Sequence, residues 1–373
     1  MDRARKLYFI AGEASGDLHA ANLMQALLDK DSSLEFKFWG GDKMHKVAKK
    51  GLVKHINELA FMGFVEVIIN LKTILSNISF CKKSIEEFQP DALVLVDYPG
   101  FNLRIAAWAK SKGIKVYYYI SPQVWAWKQN RVHKIKKIVD KMFVILPFEK
   151  DFYKQFSYDV EYVGHPLLDE ISKYNFDFTG EFQKKYGLDR RPIIAVLPGS
   201  RKQEVSKKLP IMLEALQGLI THQIVIAGAP TLSKEFYKKI NKSTTIVFGE
   251  TYKLLANSDV AVVTSGTATL ETALFKTPQV VCYKGSSISY AIAKRLIKVK
   301  YISLVNLIMD AEVVKELIQK ECNPILIRKE VDQLINNEVY RTKVISNYEK
   351  LAEILGGGGA SQKVAQSLLK TIH

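Results

Sequence analysis

Short apolar segments alternate with helical patterns along most of the chain, and this alternation restricts the fold more than any other feature. A strand followed by a helix is the repeating unit of mostly parallel α/β sheets. Several segments are apolar on both faces, as expected of parallel strands that helices cover on both sides. The predicted strands are residues 7–11, 36–39, 92–96, 115–120, 142–146 and 161–163 in the first half, and 193–197, 223–227, 245–248, 260–264 and 279–283 in the second.

The length of 373 residues predicts two such sheets, because 373 residues are too many for one ordinary core. Glycine and proline interrupt the pattern in GHPLLDEI, residues 164–171, which marks the connection. The run GGGG, residues 356–359, precedes a last predicted helix, 360–372. We therefore predict two Rossmann-like, doubly wound parallel-sheet domains, one of residues 1–164 completed by C-terminal helices in 346–373, and one of residues 165–345. Since ligands of open α/β sheets bind outside the carboxyl ends of the strands, we expect the site in a cleft where the domains face each other.

Charge and cysteine content narrow the class of protein. The net charge of +16 favours polyanions such as nucleic acid, nucleotide phosphates or an anionic membrane surface. Nucleic acid is not expected, since the sequence has neither zinc-finger spacing nor an RNP-like aromatic strand. Cys81, Cys282 and Cys322 form no C-x-x-C pair, so we expect no disulfide framework and a reducing compartment. The N-terminus is predicted to be a strand rather than a signal peptide, and no stretch approaches the ~18–20 apolar residues of a transmembrane helix.

The loop after the first predicted strand has the sequence AGEASGD, residues 11–17. Its two glycines allow a tight turn, and Ser15 or Asp17 is expected to cap the following helix through a side-chain oxygen. A functional interpretation places Glu13 and Ser15 on the wall of the cleft. Both interpretations are open at this point.

The segment VLPGSRKQEV, residues 196–205, follows a strand predicted to be buried. Gly199 and Ser200 place backbone N–H groups in a loop that can face an anion. Arg201 adds a side chain that can bind a phosphate through two hydrogen bonds. The segment therefore predicts a phosphate-binding loop.

The segment VVTSGTATLETALF, residues 262–275, contains the end of a predicted strand followed by small residues with hydroxyl groups. Ser265, Gly266 and Thr267 open a predicted helix, whose free N–H groups and dipole favour a diphosphate. Glu271 follows about one turn later and suits recognition of ribose hydroxyls. The alternative is that Glu271 only supports the start of the helix.

The segment LVLVDYPGFN, residues 93–102, places Asp97 where an apolar strand ends. Pro99 cannot extend a central strand, so the carboxylate lies at the strand end. An aspartate in this position is either a structural group of the turn or a general base.

Two further segments concern partners. Residues 59–78 are apolar on nearly all sides, which indicates either a buried helix or an apolar patch that contacts lipid. Residues 125–141, WAWKQNRVHKIKKIVDK, carry six Lys or Arg and one acidic residue. A core face is predicted there from Val132, Ile135, Val139 and Met142. The cations opposite are either a solvated face or a phosphate or membrane-interface surface.

A metal-bridged diphosphate is not expected. The only D-x-D spacing, Asp29-Lys30-Asp31, ends a helical pattern and is not beside a phosphate loop. The histidines show no ligand spacing. We expect Arg201 and helix N-termini to bind the negatively charged phosphates of a nucleotide instead.

Taken together, GEASGD, VDYPGFN, YYISPQVWAWK, VGHPLLD, LPGSRKQEV and SGTATLETAL resemble the motif set of the lipid-A-disaccharide synthase family. The resemblance implies the GT-B fold, in which two Rossmann-like domains face each other across a cleft. It implies transfer of 2,3-diacylglucosamine from UDP-2,3-diacylglucosamine to 2,3-diacylglucosamine 1-phosphate. The expected products are a β-1,6-linked disaccharide 1-phosphate and UDP. Neither a metal nor another cofactor is implied.

The resemblance also assigns roles to residues. The essential aspartate of the family matches Asp97, and its UDP-binding arginine matches Arg201. An asparagine of its second domain matches Asn306 in SLVN. The remaining residues implied at the UDP sugar are Gly199, Ser200, Ser265, Gly266, Thr267, Ala268, Thr269 and Glu271, and those implied on the acceptor side are Glu13 and Ser15.

Because both implied substrates carry acyl chains, the resemblance favours the lipid interpretation of residues 59–78. That stretch and the basic surface of residues 131–137 would dock the chain on the cytoplasmic face of the inner membrane. The implied lipid-contacting residues are Met62, Phe64, Val65, Ile68, Ile69, Leu71 and Leu75. A homodimer that exchanges C-terminal helices is a further possibility of the family. The alternatives are a UDP-N-acetylglucosamine 2-epimerase, a peptidoglycan glycosyltransferase or a non-catalytic protein that binds anionic lipid.

Overall fold

A computed structural model describes residues 4–59, 71–174, 180–286, 290 and 299–372. The chain divides into two compact units. The first comprises Met1–Pro166 and Gly357–His373, and the second comprises Leu167–Gly356. None of the described helices is long and apolar enough to cross a membrane.

The first unit is built on a seven-stranded parallel sheet in the order β3-β2-β1-β4-β5-β6-β7. Its strands are β1 (Lys6–Ala11), β2 (Glu35–Gly40), β3 (Leu52–His55), β4 (Ala92–Val96), β5 (Lys115–Tyr119), β6 (Lys141–Val144) and β7 (Glu161–Tyr162). The central strands are almost wholly buried, because helices cover both faces of the sheet. Ala11 of β1 pairs with Val96 of β4, so the loops that follow these strands start side by side.

Helices of the first unit lie between these strands, apart from the last one, which comes from the C-terminus. They are α1 (Ala14–Leu28), α2 (Asp42–Val47), α3 (Leu71–Phe88), α4 (Pro99–Ser111), α5 (Arg131–Ile138), α6 (Pro147–Lys154) and α16 (Ala360–Thr371). The buried side chains Val364, Ala365 and Leu368 of α16 pack in the same core as α1 and the central strands. The C-terminal helix therefore completes the first unit.

The second unit is built on a six-stranded parallel sheet in the order β10-β9-β8-β11-β12-β13. Its strands are β8 (Ile193–Leu197), β9 (Gln223–Gly228), β10 (Thr245–Phe248), β11 (Ser258–Thr264), β12 (Gln279–Tyr283) and β13 (Lys315–Ile318). Leu197 of β8 pairs with Val263 of β11. The loops after these two strands therefore leave the same edge of the sheet.

The helices of the second unit cover both faces of this sheet. They are α7 (Leu167–Ile171), α8 (Glu181–Tyr186), α9 (Lys202–Ala215), α10 (Lys234–Ile240), α11 (Thr251–Ala256), α12 (Thr267–Leu274), α13 (Leu304–Met309), α14 (Pro324–Asn336) and α15 (Glu338–Ile354). Val344, Tyr348 and Leu351 of α15 pack in the core of this unit. The chain returns to the first unit only at Gly357, whereas the sequence placed that boundary after residue 345, inside α15.

The prediction of two parallel α/β sheets is confirmed, and each of the predicted strands is present with ends shifted by at most two residues. Among the described residues, two strands were missed. Both β3 (LVKH) and β13 (KELI) lie at sheet edges and carry charged residues. An edge strand has one open side, so its sequence lacks the continuous apolar character of a central parallel strand.

Candidate active site

A strained turn places Asp97 at the carboxyl end of β4. The backbone N–H of Asp97 still donates to the carbonyl of Tyr119 at 3.1 Å, as a continuation of the ladder. Asp97 and Tyr98 then both adopt left-handed conformations, with φ of 47° and 50°. Each such residue costs about 1–3 kcal/mol and is typical of functional sites. Pro99 begins α4 immediately afterwards.

Two buried side chains hold the carbonyl oxygen of Asp97. The hydroxyl of Tyr118 donates to it at 2.6 Å, and the side-chain amide of Asn102 donates to it at 2.7 Å. Tyr118 belongs to β5 and Asn102 to α4, and both are fully buried. The turn is therefore fixed from two separate elements. Sequence analysis did not assign a role to either residue.

The environment of Asp97 raises the pKa of its carboxyl to about 6, first through burial and then through the negative charge of Glu13. A hydrogen bond from the backbone of Tyr98 opposes this shift. A carboxylate with this pKa is a better proton acceptor than an ordinary aspartate and is still mostly ionised near neutral pH. Its electrostatics suit a general base.

The loop after β1 packs closely against the Asp97 turn. A Cβ atom at Gly12 would overlap the ring of Tyr98, so only glycine fits beneath this ring. Glu13 is the N-cap residue of α1, but its side chain makes no capping hydrogen bond. Ser15 lies exposed in the first turn of α1. The charge of Glu13 acts on Asp97. Its carboxylate does not cap α1.

The prediction that Ser15 or Asp17 caps α1 is wrong. Ser15 lies inside the helix, and Asp17 lies on its buried face. The carboxylate of Asp17 accepts hydrogen bonds from the backbone N–H groups of Gly41, Lys43 and Met44, at 2.6–3.1 Å. These groups are at the start of α2, where free N–H groups attract a carboxylate. Asp17 therefore caps the neighbouring helix.

In the second unit, the loop after β8 contains the predicted residues Gly199, Ser200 and Arg201. Gly199 has φ of 114°, and a Cβ atom there would lie 2.5 Å from Oε2 of Glu204. Arg201 is the N-cap residue of α9, and its guanidinium is 3.9 Å from Glu204. The side chain of Arg201 is 61% exposed, and Ser200 is also exposed. A long exposed cation thus stands beside a glycine turn at the start of a helix.

The adjacent loop, after β11, exposes the start of α12. Gly266 is the N-cap residue with φ of 148°, and no side chain caps the helix there. Thr267 is exposed and Ala268 is half-buried. Backbone N–H groups at such a helix start can bind an anion. The diphosphate site at this position stays a prediction.

Two of the predicted site residues in this segment use their hydroxyl groups within the protein. Ser265 Oγ donates to the carbonyl of Ile302 at 3.0 Å. Thr269 is fully buried, and its hydroxyl donates to the carbonyl of Gly266 at 2.8 Å. These two side chains therefore shape the loop. Thr267 differs from both, because it is exposed at the start of α12.

Glu271 is held by the hydroxyl of Tyr252, which donates to its carboxylate at 3.1 Å. Burial raises the pKa of the Glu271 carboxyl. The N-cap residue of α12 is Gly266, so Glu271 lies inside the helix. Its second oxygen leaves capacity for a sugar hydroxyl.

Asn306 is fully buried, and its amide group is saturated with hydrogen bonds. Its oxygen accepts from the backbone of Val313 and Val314, and its nitrogen donates to Val314 and to Glu316, all at 2.9–3.0 Å. In this arrangement Asn306 shapes the loop before β13 rather than presenting its amide to a ligand.

Most of the predicted lipid-contacting stretch lies outside the described residues, including Met62, Phe64, Val65, Ile68 and Ile69. Leu71 begins α3. On that helix Leu75 is 54% exposed and Phe80 is 47% exposed, whereas Ile78 is buried. The described part of α3 therefore has one buried side and two large apolar side chains in solvent.

The core face predicted in the basic segment is confirmed, because Val132, Ile135, Val139 and Met142 are all buried. The cations of α5 point to solvent. Trp127, just before α5, has a half-exposed ring. Lys128 Nζ and Arg131 Cζ lie over this ring, at 4.6 and 5.3 Å from its centroid, in cation–π contacts.

A buried carboxylate holds the SPQVWAW segment, another feature that sequence analysis did not assign. Glu149, the third residue of α6, accepts a hydrogen bond from Ser121 Oγ at 2.6 Å and from the backbone N–H of Leu146 at 2.9 Å. Burial raises the pKa of Glu149 to about 7. The segment is thus fixed at the carboxyl end of β5, next to the Asp97 turn.

Within the described ranges, no group of three or more His, Cys, Asp or Glu side chains could hold a metal ion.

Two parallel-sheet units place the chain in the class of two-domain α/β proteins. Solved structures agree with this architecture. The UDP-GlcNAc 2-epimerase from Neisseria meningitidis, bound to UDP-GlcNAc, matches with a TM-score of 0.68 at 17% identity, covering 98% of this chain and all of that one. The glycotransferase of kitacinnamycin matches with a TM-score of 0.65 at 12% identity over the full length of both chains. The fold is therefore that of GT-B enzymes.

Sequence comparison identifies the family. The family model described as lipid-A-disaccharide synthetase matches residues 7–368. The lipid-A-disaccharide synthase of Trichlorobacter lovleyi is 40% identical, covering 100% of this chain and 98% of that protein. The enzyme of the same name from Syntrophus aciditrophicus is 40% identical over 99% of this chain and 98% of that protein. The chain belongs to the lipid-A-disaccharide synthetase family, and it is a hexosyltransferase.

Proposed function

We propose that the protein transfers 2,3-diacylglucosamine from UDP-2,3-diacylglucosamine to the 6-hydroxyl of 2,3-diacylglucosamine 1-phosphate, with inversion at the anomeric carbon. The products are the β-1,6-linked disaccharide 1-phosphate of lipid A biosynthesis and UDP. The observation that carries this proposal is Asp97, whose carboxyl has a pKa of about 6 at a strained strand end.

Asp97 acts as the general base. Inversion by single displacement requires a group that accepts the proton of the attacking 6-hydroxyl as the new bond forms. The raised pKa makes Asp97 a stronger base than an exposed aspartate, and Glu13 contributes to this increase through its charge. Glu13 and Ser15, on the adjacent loop, contact the acceptor.

The second unit stabilises the departing UDP. As the bond to the anomeric carbon breaks, negative charge grows on the diphosphate. Arg201 supplies an exposed guanidinium, and the uncapped start of α12 at Gly266 supplies main-chain N–H groups. The loop of Gly199 and Ser200 borders the same edge, and Glu271 accepts a ribose hydroxyl. These donors meet the charge of the leaving group, so we propose that no metal or other cofactor takes part.

The protein works at the surface of a membrane. Both proposed substrates carry acyl chains that stay close to a bilayer, and the net charge of +16 attracts anionic lipid. The exposed Leu75 and Phe80 on α3 and the cations of α5 support contact with the cytoplasmic face of the inner membrane. The exchange of C-terminal helices between two copies stays a prediction. In the described chain α16 packs in its own first unit.

The proposal is tested by incubating the purified protein with both acylated substrates and following UDP and lipid products by mass spectrometry. Equimolar UDP and disaccharide 1-phosphate are expected, with the β linkage read from the anomeric proton coupling. Conversion of UDP-N-acetylglucosamine to its 2-epimer would instead support the epimerase alternative. Lipid binding without UDP release would support a non-catalytic lipid-binding protein.

A further inference from the structure

We propose that Tyr118 and Asn102 are positioning residues that hold the Asp97 carboxylate in its reactive orientation. The inference rests on the proposed function, because it requires Asp97 to be the base. Both side chains donate to one atom, the carbonyl oxygen of Asp97, at 2.6 and 2.7 Å. Neither touches the substrates in this account, so both act through Asp97.

The atom that they hold determines where the carboxylate points. The carbonyl of Asp97 belongs to the peptide that links the two left-handed residues, Asp97 and Tyr98. The backbone N–H of Asp97 is already held by its hydrogen bond to the carbonyl of Tyr119. Rotation of the next peptide would relieve the left-handed strain and turn the side chain of Asp97 away. Two hydrogen bonds to its carbonyl oppose this rotation.

Asn102 directs its amide nitrogen at three carbonyl groups around the turn. Its amide nitrogen also approaches the carbonyls of Ile10 and Val96, at 3.3 and 3.4 Å, and so ties β1 and β4 to the turn. Its Oδ1 atom is buried without a hydrogen-bond partner among the described residues. A buried acceptor without a partner is costly, and an apolar side chain of similar size would avoid that cost. The advantage of asparagine is its amide donor, whose shortest contact is with the carbonyl of Asp97.

The experiment compares Tyr118→Phe and Asn102→Leu with the wild type, using both acylated substrates. Each variant is expected to lower kcat by about tenfold or more, because small misplacement of a reacting group has effects of this size. The KM values for both substrates and the Kd for UDP should stay within about twofold, since those contacts are unchanged. The acidic limb of the pH profile should also shift, because the surroundings of the Asp97 carboxylate change.

Tyr8→Phe is the matched control. Tyr8 is fully buried in β1 of the same sheet, and its hydroxyl donates to Ser84 and accepts from Trp39 at 3.0 and 3.1 Å. The control should lose thermal stability to a similar degree and keep the wild-type kcat. In the Asp97→Asn background, Tyr118→Phe should cause no further loss of turnover.

A wild-type kcat in Tyr118→Phe, with thermal stability lowered as in Tyr8→Phe, would overturn the positioning role. If Asn102→Leu does not fold, the kcat of Tyr118→Phe alone tests the positioning role. If Asp97→Asn is inactive while Tyr118→Phe is fully active, only the positioning role fails. If Asp97→Asn itself keeps normal turnover, the base assignment fails and the positioning role fails with it.

Discussion

Asp97 shows how one residue combines backbone strain with an altered proton affinity. Its left-handed backbone turns the chain out of the β4 ladder, and burial beside Glu13 raises the pKa of the carboxyl to about 6. The position at a strand end could be predicted from the apolar run and Pro99. The paired left-handed residues and the donors Tyr118 and Asn102 could not, because they depend on which strands become neighbours.

The raised pKa predicts a pH dependence. Asp97 accepts a proton only when ionised, so kcat/KM should fall as the pH falls through about 6. Glu13→Gln removes a negative charge that raises the pKa of Asp97. The acidic limb should then move to lower pH, which raises the ratio of kcat/KM at pH 5 to that at pH 8.

Glu35→Gln is the control for the loss of one negative charge. Glu35 is exposed at the start of β2, at the opposite edge of the sheet from the Asp97 turn. This variant should keep the wild-type profile. An unchanged acidic limb in Glu13→Gln would show that Glu13 does not act on the base.

At the scale of elements, the fully buried strands were the most predictable feature, since parallel strands need apolar residues on both faces. For example, β4, β8 and β12 begin and end where the sequence predicted. The edge strands β3 and β13 were missed because one side of each is open to solvent. Capping was also assigned wrongly for Asp17, whose partners on α2 are more than twenty residues away.

The loop between β8 and α9 gives a second prediction. Gly199→Ala should weaken UDP binding by about tenfold or more, because the new Cβ would lie 2.5 Å from Glu204 and φ is 114°. Isothermal titration with UDP measures the effect. Gly218→Ala is the control, with φ of 76° and no atom within 4 Å of the new Cβ. Equal UDP affinity in both variants would exclude this loop from the nucleotide site.

The exposed side chains of α3 give a third prediction. Leu75→Ser with Phe80→Ser should reduce binding to vesicles of anionic phospholipid by about tenfold or more, since each large apolar side chain contributes about 1.5–3 kcal/mol when fully buried. Co-sedimentation with vesicles measures the change. The control is Ile325→Ser with Val339→Ser, two exposed apolar positions of the second unit. Equal loss in both pairs would contradict a specific role of α3.

At the scale of the molecule, the chain crosses between its units twice, after Pro166 and after Gly356. The first crossing lies within GHPLLDEI, residues 164–171, where glycine and proline interrupt the regular pattern of the sequence. The second crossing was placed inside α15, since a helical pattern does not show which core its apolar face packs against. Asp97 belongs to the first unit, and Arg201 and Gly266 belong to the second.

The C-terminal helix should therefore control the stability of the first unit. Leu368→Ala is expected to destabilise that unit by about 2–5 kcal/mol, because Leu368 is fully buried in its core. All four tryptophans of the chain lie in the first unit, so tryptophan fluorescence during urea unfolding follows this unit. Gln366→Ala, at an exposed position of the same helix, should leave the transition unchanged. Coincident transitions for both variants would contradict the packing of α16 described here.

The most direct test of the account is the turnover number of Asp97→Asn with both acylated substrates. The account predicts that kcat falls by about a hundredfold or more, because the general base is lost, while melting temperature and UDP affinity stay close to those of the wild type. UDP affinity should persist because its proposed donors are in the second unit. Near-normal formation of the disaccharide 1-phosphate by a folded Asp97→Asn protein would contradict the central claim that Asp97 is the base.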